Sequence, residues 1–190
     1  MDRKVIQEKR KKGYFIEAAK KIIEEEGVAN LTVKKVADLA GFAVGTLYNY
    51  FSDLNDLYSH CARDYWEDCK DYVIYKGKGT ENIKSKIIKC SQAYCEYFID
   101  NPNVFQLIFL QDFDELPDET PEVVLLLIDS LKQAVQEGII PQNRCEMVEN
   151  LISSSIHGIL LFIIKKRSKA TRNEALALIQ EEVKYILDQC

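Results

Sequence analysis

The run Val44-Gly45-Thr46-Leu47-Tyr48-Asn49-Tyr50 gathers an amide, a hydroxyl with its methyl, and two phenols within two turns of a helix. An asparagine amide offers a donor and an acceptor side by side and can pair with the edge of an adenine. A threonine methyl can meet the methyl of thymine, and a tyrosine hydroxyl can reach a phosphate. On a helix with Leu47 pointing inward, Val44, Gly45, Thr46, Tyr48 and Asn49 face outward. Catalytic chemistry is poorly represented by comparison. The chain has only two histidines, no serine in a glycine-flanked nucleophile turn and no glycine loop to cradle phosphate, which excludes the common enzyme classes. The six cysteines, Cys61, Cys69, Cys90, Cys95, Cys145 and Cys190, are scattered without a CxxC pair and read as free thiols; no metal site and no cofactor are expected.

Such a surface works only if the helix carrying it is held at a steep angle to its predecessor. Ala37 permits close approach of the two helices, and Gly41, four residues on, can take the positive φ of a tight turn. Val36 and Leu47 are the expected apolar pegs. Thr32 can cap the helix that runs to Ala40. Before it, Phe15, Ala18, Ala19 and Ile22 mark one face of a first helix ending near Gly27. Glu24 to Glu26 then fall at its negative end, an unfavourable place for acids. Charge is distributed to match: residues 1–51 hold 10 Lys and Arg against 7 Asp and Glu, whereas the whole chain of 190 residues is at −5.

The segment TVKKVADLAGFAVGTLYNYFSDLNDLY resembles the DNA-binding segment of the TetR/AcrR family of transcriptional regulators, including a G-x-L-Y-x-Y-F core at Gly45, Leu47, Tyr48, Tyr50 and Phe51. The resemblance extends back through YFIEAAKKIIEEEG and covers about the first 65 residues. It implies an all-helical protein with a three-helix, helix-turn-helix head at 1–52, a connecting helix at 53–76, and an effector-binding and dimerisation domain at 77–190. Double-stranded DNA with a palindromic operator is the implied partner. Thr32, Lys34, Lys35, Val44, Gly45, Thr46, Tyr48, Asn49 and Tyr50 are the implied contacts, and the Lys9 to Lys12 stretch supplies further charge. Two positions depart from the family pattern. Ala43 replaces the usual capping serine of the recognition helix, and Leu54 replaces a lysine at the phosphate-contacting start of the fourth helix.

Past the polar break YKGKGTEN the apolar residues keep three- and four-residue steps. Tyr94, Phe98, Phe105, Phe109 and Phe113 form an aromatic concentration on two adjacent helices, and His157 lies on a strongly apolar one. By the resemblance this domain holds a small-molecule effector; the aromatics imply an apolar or aromatic one, with His157, Tyr94 or Gln106 as polar contact. The acidic stretch from Asp112 to Glu122 reads as a solvated loop. A single reading head contacts little DNA, so a homodimer is expected. Its interface is assigned to the last two helices: Leu151, Ser154, Ser155, Gly158 and Phe162 on one, and Leu176, Ile179, Val183 and Ile186 on the other. No apolar stretch is expected to span a bilayer, and the polar start MDRKVIQEKRKK lacks the apolar centre of a secretory signal, so the expected location is cytoplasmic. A thiol-responsive regulator and a helical dimeric interaction protein without DNA binding remain the alternatives.

Overall fold

The computed structural model describes residues 3–80, 82–111 and 120–190, and all its regular elements there are helical. Among these residues two compact units emerge, one formed by residues 3–65 with 103–111, the other by 66–80, 82–102 and 120–190. We call them head and body. Phe113 and most of the acidic stretch fall outside the described residues.

The head begins with α1 (Arg3–Glu26), whose buried stripe is Phe15, Ala18, Ala19, Ile22 and Ile23. It stops at Gly27, where φ of 86° is open to glycine at little cost. The acids at its end have local partners. The Tyr65 hydroxyl donates to Glu24 Oε1 at 3.0 Å, and Lys35 Nζ donates to Glu26 Oε2 at 2.6 Å. These contacts offset the unfavourable position relative to the helix dipole.

After a single 3₁₀ turn, α2 (Val33–Ala40) starts at Thr32, whose side chain accepts the Lys35 N–H at 3.2 Å. It ends at Gly41 with φ of 78°, which lets the Phe42 N–H return to the Ala37 carbonyl at 2.9 Å. The regular part of α3 is short (Val44–Leu47) and continues as turns to Phe51. Val36, Ala37 and Leu47 are all fully buried where α1, α2 and α3 meet. Phe15 lies at the centre, with the rings of Phe42, Tyr50 and Phe51 between 5.1 and 6.3 Å away.

The long α4 (Leu54–Gly77) contributes its first part to the head and the remainder to the body. Its start is capped by two acids in exchange, Asp53 Oδ1 accepting the Asp56 N–H at 2.9 Å and Asp56 Oδ2 the Ser52 N–H at 3.0 Å. After α5 (Ile83–Asp100), α6 (Pro102–Leu110) belongs from Asn103 onward to the head. There the Asn103 side-chain amide donates to the Glu24 carbonyl at 3.1 Å.

In the body, α5 packs against α7 (Glu122–Gln136), α8 (Cys145–Ile164) and α9 (Arg172–Asp188). The last helix opens with a capping box between Thr171 and Glu174. One expectation needs correction: Gln142–Ile164 is long and apolar enough, with mean hydropathy 1.7, to cross a membrane by length and composition. Ser153 to Ser155 and His157 interrupt the sequence run and obscure this. In the fold Val148, Ile152, Ile156 and Leu160 form its buried stripe, facing the body's core.

Candidate nucleic-acid interface and ligand cavity

The surface made by α2, α3 and the turn between them is built by burial of the pegs beneath it. With Val36 and Leu47 fixed inside, Lys34, Lys35, Val44, Gly45, Tyr48 and Asn49 are exposed, Tyr48 to 54%, while Thr46 and Tyr50 are half-buried. A tyrosine that exposed among apolar and amide neighbours has no role in the head's own packing. Three of the expected contacts are already engaged within the head. The Thr32 side chain caps α2, Lys35 is paired with Glu26, and the Tyr50 hydroxyl donates to Glu8. That hydrogen bond, with burial and the Glu8 charge adding to it, raises the Tyr50 pKa.

Ala43 occupies the cap position of α3 in extended geometry, φ −70° and ψ 147°, with no side-chain bond to the first turn. Its carbonyl still accepts the Thr46 N–H at 2.9 Å. Nearby, Lys12 Nζ donates to His60 Nε2 at 2.8 Å and lies over the Phe51 ring at 5.1 Å. Burial, then the Lys12 charge, push the His60 pKa down, so the imidazole is neutral and accepts this bond. Lys9 and Arg10 on α1 are exposed. The pairings of Glu8 with Tyr50 and of Lys12 with His60 were not foreseen from sequence, because each acts across more than forty residues of chain.

In the body, α4, α5, α7 and α8 enclose a cavity of about 60 Å³. Of the six residues expected to meet an effector, Tyr94 and His157 line it; Phe98, Phe105, Gln106 and Phe109 do not. Phe98 is fully buried beside Trp66, and the three residues on α6 belong to the head. Tyr94 and His157 are joined at 3.1 Å between Oη and Nε2, and His157 Nδ1 lies 2.8 Å from the Ser153 carbonyl. A carbonyl only accepts, so Nδ1 carries the proton and Nε2 accepts from the phenol. Burial lowers the His157 pKa and raises that of Tyr94, leaving both neutral.

The expected dimer residues divide into two groups. Leu151, Ser154 and Phe162 are exposed, Phe162 to 56%, and Ser155, Gly158, Leu176 and Ile186 are half-buried. Ile179 and Val183 are each 1% exposed and, with Ala175 and Leu187, form the inward stripe of α9. They are committed to the protomer's own core, and the outward apolar residues of α9 are Leu178, Tyr185 and Ile186. Cys61, Cys69 and Cys95 are buried, and burial pushes the thiols of Cys61 and Cys69 up to about 12 and raises that of Cys95 as well.

Residues 15–61 match the bacterial regulatory proteins, tetR family. An HTH-type transcriptional regulator of Staphylococcus aureus (strain bovine RF122 / ET3-1) is 44% identical over 95 residues, 48% of this chain and 50% of that protein. The chain thus spans about half the length of the curated relatives it matches. Among solved structures, FadR from Bacillus subtilis in complex with stearoyl-CoA superposes with a TM-score of 0.72 at 21% identity, covering 94% of this chain and 98% of that one. The resorcinol complex of RolR superposes at 0.68 with 13% identity, covering 98% and 97%. These last two establish a shared fold that extends through head and body. The match over residues 15–61 makes the helix-turn-helix segment similar to that of the bacterial regulatory proteins, tetR family, and beyond it the likeness is one of fold.

Proposed function

We propose that this protein is a cytoplasmic, homodimeric DNA-binding transcriptional regulator, a repressor that leaves a palindromic operator when a small apolar or aromatic molecule enters the body. The observation that carries the DNA-binding part is the uncommitted surface of Val44, Gly45, Tyr48 and Asn49, held outward by buried Val36 and Leu47 and flanked by exposed Lys34. Side chains reading base edges need such a rigid support, and the nearby lysines and Arg10 supply phosphate contacts. In this reading residues 1–52 are the reader, 53–76 the connecting helix and 77–190 the responsive domain.

Dimerisation is supported by the exposed apolar residues of α8 and α9, Leu151, Phe162, Leu178 and Tyr185 among them, which a second copy would cover. Effector binding is supported by the enclosed cavity and by its position among α4, α5, α7 and α8. Proteins of this fold include one solved with stearoyl-CoA and one with resorcinol, so the fold accommodates small molecules of quite different size. A ligand acts as a release signal only if it favours one arrangement of the two heads over the other.

The test is selection of bound sequences from a random DNA pool by the purified protein at low salt, with the Tyr48→Ala variant in parallel. A palindromic sequence enriched by the native protein and lost by the variant is the expected result. Enrichment of nothing by a folded dimer would refute the reading and leave a helical interaction protein in its place.

A further inference from the structure

Ser91 is the one buried side-chain polar atom without a hydrogen-bond partner among the described residues. It is 4% exposed and lines the body cavity from α5. A helical serine has an easy local solution, donation to the carbonyl four residues earlier. Ser130 takes it on the opposite wall, donating to the Leu126 carbonyl at 2.7 Å. Ser91 does not, and no other group in the cavity wall bonds to it. Burying a hydroxyl unpaired is costly, so a group that comes to meet it gains from what the fold leaves unmet.

Three residues further along the same face of α5, Tyr94 has its proton engaged by His157 Nε2, which leaves the phenol oxygen able to accept. The pair therefore offers one donor and one acceptor side by side. None of the side chains that line the cavity is charged; Ile87, Val123, Leu127 and Ile156 set its character. Resting on the effector-binding function proposed above, we propose that the cavity takes a compact, uncharged molecule with an apolar body and one hydroxyl, which accepts from Ser91 Oγ and donates to Tyr94 Oη. A hydroxyl answers both groups, whereas a carbonyl answers only Ser91. A carboxylate or an ammonium would be stripped of water with no opposite charge to meet it. The volume of about 60 Å³ favours a single ring over a long chain.

The experiment is calorimetric titration of the purified full chain, without DNA, by phenol, toluene and benzoate, for the native protein and for Ser91→Ala and Tyr94→Phe. Phenol is expected to bind about 3- to 10-fold tighter than toluene, the effect of one net hydrogen bond, and benzoate to give no binding heat. Ser91→Ala should raise the melting temperature of the unliganded protein while lowering phenol affinity toward that of toluene, the bond to Tyr94 remaining. A purely structural serine would not produce these opposite signs. Tyr94→Phe should also weaken phenol selectively. Toluene binding as well as phenol, binding of benzoate, phenol affinity unchanged in Ser91→Ala, or no binding by any probe would each overturn the proposal. Operator binding is then measured with and without phenol. DNA affinity indifferent to a bound phenol would defeat ligand-released repression and leave the ligand class standing; intact DNA binding with no probe bound would do the reverse.

Discussion

Head and body are both helical, but they are held together by different means. In the head a single ring, Phe15, is surrounded by three other aromatic rings, and two short helices are locked by a capped start at Thr32 and a left-handed turn at Gly41. In the body, longer helices meet along aliphatic stripes such as Ala175, Ile179, Val183 and Leu187, and between them remain a cavity and an unpaired hydroxyl. A part that presents side chains to a repeating polymer benefits from having one conformation. A part proposed to answer a ligand benefits from having unmet groups inside it, because only a difference in interaction between two states can shift their populations. The contrast is sharpest where the two units are perturbed in the same way.

The largest effect is expected at the head's centre. Phe15→Ala removes a fully buried ring and should cost about 3–5 kcal/mol, because the rings around it are too rigid to fill the void. Chemical denaturation followed by circular dichroism reads the cost, and DNA binding should fail with it. If the loss were under about 1 kcal/mol, the head would be more deformable than its packing indicates.

The next effect lies in the body and depends on pH. Glu96 receives Lys76 Nζ at 2.8 Å and Arg172 at 2.7 Å. Burial alone would push its pKa up, but hydrogen bonds from Lys76, Arg172 and Tyr72 outweigh that and hold it at about 2, against the usual 4.5. A carboxylate with a lowered folded pKa adds stability above its unfolded value, and that stability is lost as pH falls from about 4.5 toward 2. Glu96→Gln should therefore cost about 2 kcal/mol at pH 7 and flatten the acid limb of the stability profile in that window. An unchanged acid limb would mean that the network does not persist in solution.

How much of each unit can be read from sequence follows from the range of its contacts. Thr32, Gly41, Val36 and Leu47 act through neighbours a few residues away, so cap, turn and pegs were legible. Glu8 with Tyr50 and Lys12 with His60 join residues more than forty apart, and no local pattern announces them. In the body, periodicity revealed the apolar stripe of α9 but not its destination. The stripe of Ile179 and Val183 faces the body's own core, while Leu178 and Tyr185 beside it stay exposed. Likewise Phe105 and Phe109 of α6 were grouped with Tyr94 and Phe98 by sequence, yet the chain from Asn103 onward belongs to the head. Ser91 has no sequence signal at all, because a serine between helical neighbours reads as ordinary until its hydroxyl is seen to lack a partner.

A smaller gain is expected at Ala43. Its backbone already has the extended geometry of a cap, so Ala43→Ser needs only to place an oxygen near the free amides of α3. The variant should be more stable by about 1 kcal/mol in urea titration and should bind operator at least as tightly. Stabilisation with weaker DNA binding would show that the loose start of α3 is itself used in recognition, and the head would then be less rigid than the comparison with the body holds.

The smallest change separates stability from recognition within the head. Glu26 and Lys35 are paired at 2.6 Å, but both side chains are 45% exposed. Breaking an exposed pair costs little, so Glu26→Gln should lower stability by about 0.5 kcal/mol or less, and the difference should shrink in 1 M salt. Operator binding should move the other way, because Lys35 is released from a competing carboxylate at the edge of the reading surface. If it then meets a phosphate, the dependence of log affinity on log salt should steepen by about 0.9 per head. Tighter, more salt-sensitive binding from a slightly less stable protein is the expected signature. An unchanged slope would assign Lys35 to holding α1 against α2, and the reader's charge would rest on Lys34, Lys9 and Arg10.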